Sequence, residues 1–87
     1  MGTLSLPRRI SILGSTGSIG LSTLDLLDRA KAEVEIVALA AGRNAERLAE
    51  QALRWRPEIA VISDERQAPQ LRGRLEGSGI ARAAGPA

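Results

Sequence analysis

The chain has 87 residues, 44% of them hydrophobic and 25% charged, with a net charge of +2. That length holds one small core and no second one, and the composition is that of a folded globular protein rather than a disordered one. The absence of Cys and His excludes disulfides and thiolate chemistry, and removes the usual general base and the commonest zinc ligand.

After a polar lead ending at Pro7, Arg9 to Leu13 reads as a first strand, with Ile10, Ile12 and Leu13 facing packed layers as in a buried parallel sheet. A glycine-bearing turn comes at once, Gly14-Ser15-Thr16-Gly17-Ser18-Ile19-Gly20. From Ser18 the apolar residues Ile19, Leu24, Leu27 and Ala30, with Leu26 beside them, recur at helical spacing, and the helix is expected to end near Lys31. Val34 to Ala40 is a second strand, with Glu33 and Glu35 near its beginning. Asn44 is placed to cap a second helix, in which Ala45, Leu48, Ala49, Ala52 and Leu53 form the cleanest apolar stripe of the chain, and Pro57 ends it. Ile59 to Ile62 is a third strand.

Asp64 followed by Gln67 resembles a capping box for a third helix. Pro69 would then fall inside the second turn and Gly73 weakens the segment after it, so a later start or a bend is the alternative. Ile80 to Ala83 begins a fourth strand, while the Ala, Gly and Arg content of the last fifteen residues, ending in Gly-Pro-Ala, suggests a loose tail. Strand, helix, strand, helix, strand is one half of a doubly wound α/β fold of Rossmann-like type, because right-handed crossovers with short links leave few other arrangements.

The glycine turn carries the chemistry. A helix N-terminus leaves several backbone N–H groups without intrahelical partners and carries about half a positive charge, so a pyrophosphate settles there without a basic side chain. Gly14 permits the sharp turn, Gly17 removes a Cβ where a diphosphate approaches, and Gly20 lets the helix press on the strand. Thr16 and Ser18 add hydroxyls within reach of phosphate oxygens, with helix capping as the competing duty of Ser18. At the end of the second strand, Ala40-Ala41-Gly42-Arg43-Asn44 has no carboxylate where NAD enzymes place one on the ribose. Arg43 stands there instead, and a guanidinium pairs with a 2′-phosphate while stacking on adenine, which favours NADP over NAD. The plainer readings are a solvated Arg43, a capping Asn44 and a Gly42 that only serves the turn. Trp55 reads as an amphipathic anchor and Asp25, Asp28, Glu46 and Glu50 as solvated charges.

The eleven Arg residues are scattered without a basic stripe or aromatic interleaf, which argues against a nucleic-acid partner. Met1 to Arg9 lacks the apolar core of roughly seven residues that a signal peptide needs, and no stretch approaches the roughly 18 apolar residues of a membrane span. The expected setting is cytoplasmic, with no membrane partner.

The run Ile12-Leu13-Gly14-Ser15-Thr16-Gly17-Ser18-Ile19-Gly20, continued as Ser22-Thr23-Leu24-Asp25, resembles the opening of the 1-deoxy-D-xylulose 5-phosphate reductoisomerases. The resemblance extends through Val37-Ala38-Leu39-Ala40-Ala41-Gly42-Arg43-Asn44 and, more weakly, from Pro57 to Glu65. It implies an NADP-dependent oxidoreductase of the methylerythritol phosphate pathway of isoprene biosynthesis. Such an enzyme rearranges 1-deoxy-D-xylulose 5-phosphate and reduces it to 2-C-methyl-D-erythritol 4-phosphate, using NADPH and a divalent metal, magnesium or manganese. Carried over residue by residue, the cofactor contacts fall on Thr16, Gly17, Ser18 and Ile19 at the pyrophosphate and on Gly42, Arg43 and Asn44 at the 2′-phosphate. The family commonly has Lys or Arg where Arg43 stands.

On this reading residues 1–87 are the N-terminal part of an NADP-binding Rossmann-like domain. The metal ligands, catalytic residues, C-terminal domain and homodimer contacts of the family lie outside the chain, so no catalytic or metal residue is assigned and the chain alone is expected to be inactive. The alternatives are an NADP-binding module of another oxidoreductase or epimerase relative, and a non-catalytic fragment.

Overall fold

A computed structural model describes residues 8–30 and 34–85. Four strands, β1 (Arg8–Leu13), β2 (Val34–Ala41), β3 (Ile59–Ile62) and β4 (Ala81–Ala84), alternate with three helices, α1 (Ser18–Ala30), α2 (Ala45–Trp55) and α3 (Ala68–Leu75). A single 3₁₀ turn, Glu65–Gln67, precedes α3. The strands are parallel and lie side by side in chain order. Each helix is therefore a crossover between neighbouring strands, and a constant right-handed sense puts all three on one face of the sheet.

The burial reflects that one-sided arrangement. In the cross-strand row Ile12, Leu39 and Ala60 the side chains are buried, as are Ala41 and Ile62 further along. Leu48, Ala49 and Ala52 of α2 and Leu71 and Leu75 of α3 close over them, with Leu24 of α1 and Ile80 completing the cluster. The next row, Leu13, Ala40 and Val61, faces away from the helices, and Leu13 is 81% exposed. The expectation that Leu13 would pack into a layer is thus corrected, because no helix covers that face among the described residues.

β1 and β2 slip register between Ile10 and Ser11: Ile10 pairs with Ile36 but Ser11 pairs with Ala38. Val37 is the extra residue of a bulge. It explains why the buried residues of β2 are Ile36, Leu39 and Ala41 rather than every second one.

The first two helices match their expected starts. α1 begins at Ser18, although Ile19 is 83% and Leu26 66% exposed. Ile19 and Leu26, seven residues apart, share a face about 140–160° around the helix from the buried Leu24, so the expectation that they join the packed stripe is corrected. α2 begins after Asn44, whose Oδ1 accepts the Arg47 N–H at 3.0 Å. It stops at Trp55, with Arg56 in the left-handed region at φ 53° before Pro57. Leu53 is exposed where the stripe predicts burial. Asp64 caps the 3₁₀ turn rather than α3, accepting from the Arg66 N–H. α3 therefore starts later, at Ala68, with Pro69 in its first turn, where a missing N–H costs nothing.

The fourth strand lies one residue beyond the expected Ile80 start and pairs with β3, so that part of the expected loose tail is ordered sheet. The polar lead up to Pro7, the end of α1 near Lys31, Glu33, and Pro86 with Ala87 lie outside the described residues.

Candidate dinucleotide-binding edge of the sheet

All four strands end along one edge, and the loops that leave them are tied together by backbone bonds. Ser15 N–H donates to the Ala40 carbonyl at 2.9 Å, Ser63 to Ala41 at 2.9 Å, Asp64 to Gly42 at 2.8 Å and Gly85 to Ile62 at 2.9 Å. In an open parallel sheet this carboxyl edge is where ligands bind, since the helix N-termini open there.

The first loop is shaped by its glycines. Gly14 has φ +69°, a conformation few side chains tolerate, and its carbonyl accepts the Gly17 N–H at 3.0 Å to close the turn. Gly20 presses α1 directly on that turn. A Cβ there would collide with the Gly14 carbonyl oxygen and lie 2.6 Å from Ser15 Cα. Gly17 is different, since a Cβ would meet only the Gly14 oxygen, at 3.4 Å. The protein itself tolerates a side chain there, and the space above Gly17 stays open.

What this loop offers is a set of donors. Among the described residues no acceptor engages the N–H groups of Thr16, Ser18 or Ile19, and no partner engages the hydroxyls of Thr16 or Ser18. Ser18 does not act as the cap of α1, which leaves its hydroxyl available to a ligand.

The second loop holds Gly42, Arg43 and Asn44. A Cβ at Gly42 would meet nothing within 4 Å, and its φ is not positive. The turn alone therefore does not require glycine. Asn44 spends Oδ1 on the α2 cap, leaving its Nδ2 donors uncommitted. Arg43 is exposed and makes no ion pair among the described residues, while its charge reaches Asp64. The Asp64 carboxyl is held below the ordinary carboxylate value, chiefly by hydrogen bonds from the Arg66 side chain and backbone N–H, with the Arg66 and Arg43 charges adding. Arg66 grips it with two side-chain bonds of 3.0 Å.

The expected site residues therefore fall in two neighbouring loops, Thr16 to Ile19 and Gly42 to Asn44, joined through the Ser15 to Ala40 bond. The residues read as bystanders are so placed: Asp25 pairs with Arg29 at 3.0 Å, and Asp28 with Arg54 at 2.6 Å, linking α1 to α2. Trp55 is half-buried against the core with the Arg54 guanidinium 5.9 Å from its ring centroid. One residue escaped the sequence reading. Gln51, on the buried face of α2, donates from Nε2 to the Ser15 carbonyl at 2.7 Å. Its signal was a polar side chain three residues after Leu48, inside the apolar stripe.

No group of three or more His, Cys, Asp or Glu able to hold a metal occurs among the described residues, and no helix there is long and apolar enough to cross a membrane.

Comparison with known proteins points one way. The family model described as 1-deoxy-D-xylulose 5-phosphate reductoisomerase matches residues 10–86. The enzyme of that name from Caulobacter vibrioides is 58% identical over 85 residues, covering 98% of this chain and 21% of the relative. That from Gluconobacter oxydans is 56% identical over 78 residues, covering 90% and 19%. The chain thus spans about a fifth of the length of the curated relatives it matches. Among solved structures, the Zymomonas mobilis enzyme in complex with NADPH superposes with a TM-score of 0.87 at 44% identity, covering 92% of this chain and 21% of that one. A reductoisomerase in complex with NADPH, fosmidomycin and magnesium gives 0.80 at 28%, covering 90% and 19%. With the four-stranded parallel sheet, the glycine turn and these matches in agreement, this chain belongs to the 1-deoxy-D-xylulose 5-phosphate reductoisomerase family.

Proposed function

We propose that this chain is the NADPH-binding N-terminal part of an enzyme that converts 1-deoxy-D-xylulose 5-phosphate to 2-C-methyl-D-erythritol 4-phosphate. The observation that carries the reading is the pair of adjoining loops at the carboxyl edge. One presents uncommitted N–H groups at the start of α1, and the other places Arg43 beside open space at Gly42. The related Zymomonas mobilis enzyme, in complex with NADPH, has the same fold over this region.

In this reading the N–H groups and hydroxyls of Thr16 and Ser18, with the N–H of Ile19, hold the diphosphate, and Gly17 leaves room for it. Arg43 pairs with the 2′-phosphate, Asn44 donates from Nδ2 while still capping α2, and Gly42 clears space for the adenosine. NADPH, when bound, supplies a hydride for the reduction. Everything these residues do is binding and orientation, so the chain by itself is inactive. Residues 1–87 form the first part of the dinucleotide-binding domain. The divalent metal, the sugar phosphate and the contacts of a homodimer engage parts of the family's length that this chain does not span. The reading includes no nucleic-acid or membrane partner and a cytoplasmic setting.

The test compares NADPH and NADH on Arg43→Leu. Loss of charge-assisted bonds to the 2′-phosphate costs about 1.5–3 kcal/mol for NADPH and little for NADH. Equal losses for both cofactors remove Arg43 from the site.

A further inference from the structure

Gln51 stands where an apolar residue would complete the buried face of α2 formed by Ala45, Leu48, Ala49 and Ala52, and it is only 8% exposed. A buried primary amide has to recover its hydrogen bonds or lose stability. This one recovers half: Nε2 donates to the Ser15 carbonyl at 2.7 Å, while among the described residues Oε1 has no partner. The hydroxyl of Ser15, itself fully buried, has none either. A methionine would fill the same volume without an orphaned oxygen. Packing of the core therefore does not account for glutamine at this position. The bond it makes does.

That bond fixes one peptide plane in the glycine turn. The carbonyl of Ser15 and the N–H of Thr16 belong to the same trans peptide and point in opposite directions. With the carbonyl held inward against α2, the Thr16 N–H is turned outward, and it is one of the donors that finds no acceptor among the described residues. The same helix begins at the cap Asn44, directly after Gly42 and Arg43. One rigid element thus reaches both loops.

We propose that Gln51 is a positioning residue for the dinucleotide: from α2 it holds the Ser15 carbonyl inward and so aims the Thr16 N–H at the diphosphate, in register with the 2′-phosphate loop on the same helix. This rests on the NADPH reading above. Gln51 touches no cofactor atom and acts through the turn.

The experiment measures dissociation constants of NADPH, NADH and adenosine 2′-monophosphate for the wild type, Gln51→Met and Arg43→Leu. For Gln51→Met the constants for NADPH and NADH both rise about tenfold, the worth of one well-made hydrogen bond. That for adenosine 2′-monophosphate, which has no diphosphate, changes less than about twofold on the same scale. Arg43→Leu gives the opposite pattern, losing NADPH and the monophosphate while sparing NADH. An unchanged NADPH constant in Gln51→Met overturns the proposal, as does an equal loss of all three ligands, the mark of a helix merely loosened. Should Gln51→Met not fold, the wild type answers by NMR. The Thr16 amide shifts downfield with NADPH while the Gln51 side-chain amide protons stay protected from exchange; a stationary Thr16 amide or a freely exchanging Gln51 amide overturns the assignment. A wild type that binds no NADPH overturns the cofactor reading itself, and this proposal with it.

Discussion

Replacing Gly20 by alanine adds one methyl group at the point where α1 meets the glycine turn. An exposed helix interior gains about 1 kcal/mol from this exchange, because alanine loses less backbone entropy. Here the added carbon would collide with the Gly14 carbonyl oxygen and sit 2.6 Å from Ser15 Cα and 2.8 Å from Ser15 C. Carbon atoms in contact prefer about 3.5–4.0 Å, so the turn and the helix have to part by about 1 Å. All three obstacles are backbone, with no flexible side chain to swing aside. The cost belongs at the upper end of the usual overpacking range, about 3 kcal/mol, and subtracting the propensity gain leaves about 2 kcal/mol of destabilisation. For a domain of this size that lowers Tm by roughly 8–16 °C.

Gly73→Ala is the matched control. Gly73 lies inside α3 with nothing within 4 Å of its missing Cβ, so the same exchange there stabilises by up to about 1 kcal/mol. Urea denaturation of both variants reads the difference, provided the slopes stay equal. Gly20→Ala matching or exceeding the wild type in stability would show that the helix does not press on the turn, and would refute the reasoning.

Gly17→Ala is expected to separate folding from binding: its Cβ meets only the Gly14 oxygen at 3.4 Å, so stability changes by no more than about 0.5 kcal/mol, while NADPH affinity measured by fluorescence titration falls because the methyl group occupies the diphosphate's space. Asp64 gives a pH dependence of definite sign. Its carboxyl is held below the ordinary value in the folded state by Arg66, so its stabilising contribution is complete above the unfolded carboxylate value and is lost as pH falls through the lower, folded one. Asp64→Asn removes that share of the acid sensitivity; an unchanged difference between neutral and acid denaturation midpoints would contradict it.

The strands, helices and glycine turn were legible because their signals are local. Ile59 to Ile62 is a short apolar run set off by Pro57 before it and Asp64 after it, and Asn44 precedes the cleanest stripe in the chain. What sequence could not show depends on neighbours. Leu13 looks like any buried strand residue until the sheet is seen to carry helices on one face alone. The bulge at Val37 shifts which residues of β2 are buried, and no local pattern marks it. Asp64 has the spacing of a helix cap, whereas its carboxylate closes a 3₁₀ turn that lets Pro69 enter α3 in the first turn. At the candidate site, the glycine turn with Thr16 and Ser18, and Arg43, could be proposed from steric and charge rules and Ile19 from the family resemblance, whereas the role of Gln51 depends on a contact with Ser15 that no local pattern marks.

A dinucleotide held by the amides opening α1 and by the loop after β2 must change the surroundings of those amides when it binds. Titration of the isotopically labelled protein with NADP⁺, with every backbone amide followed by NMR, reads this without any substitution. Thr16, Ser18, Ile19 and Arg43 are predicted to shift most, with the resonances of α3 and β4 little affected. Shifts concentrated around α3 and β4, with the glycine turn silent, would contradict it.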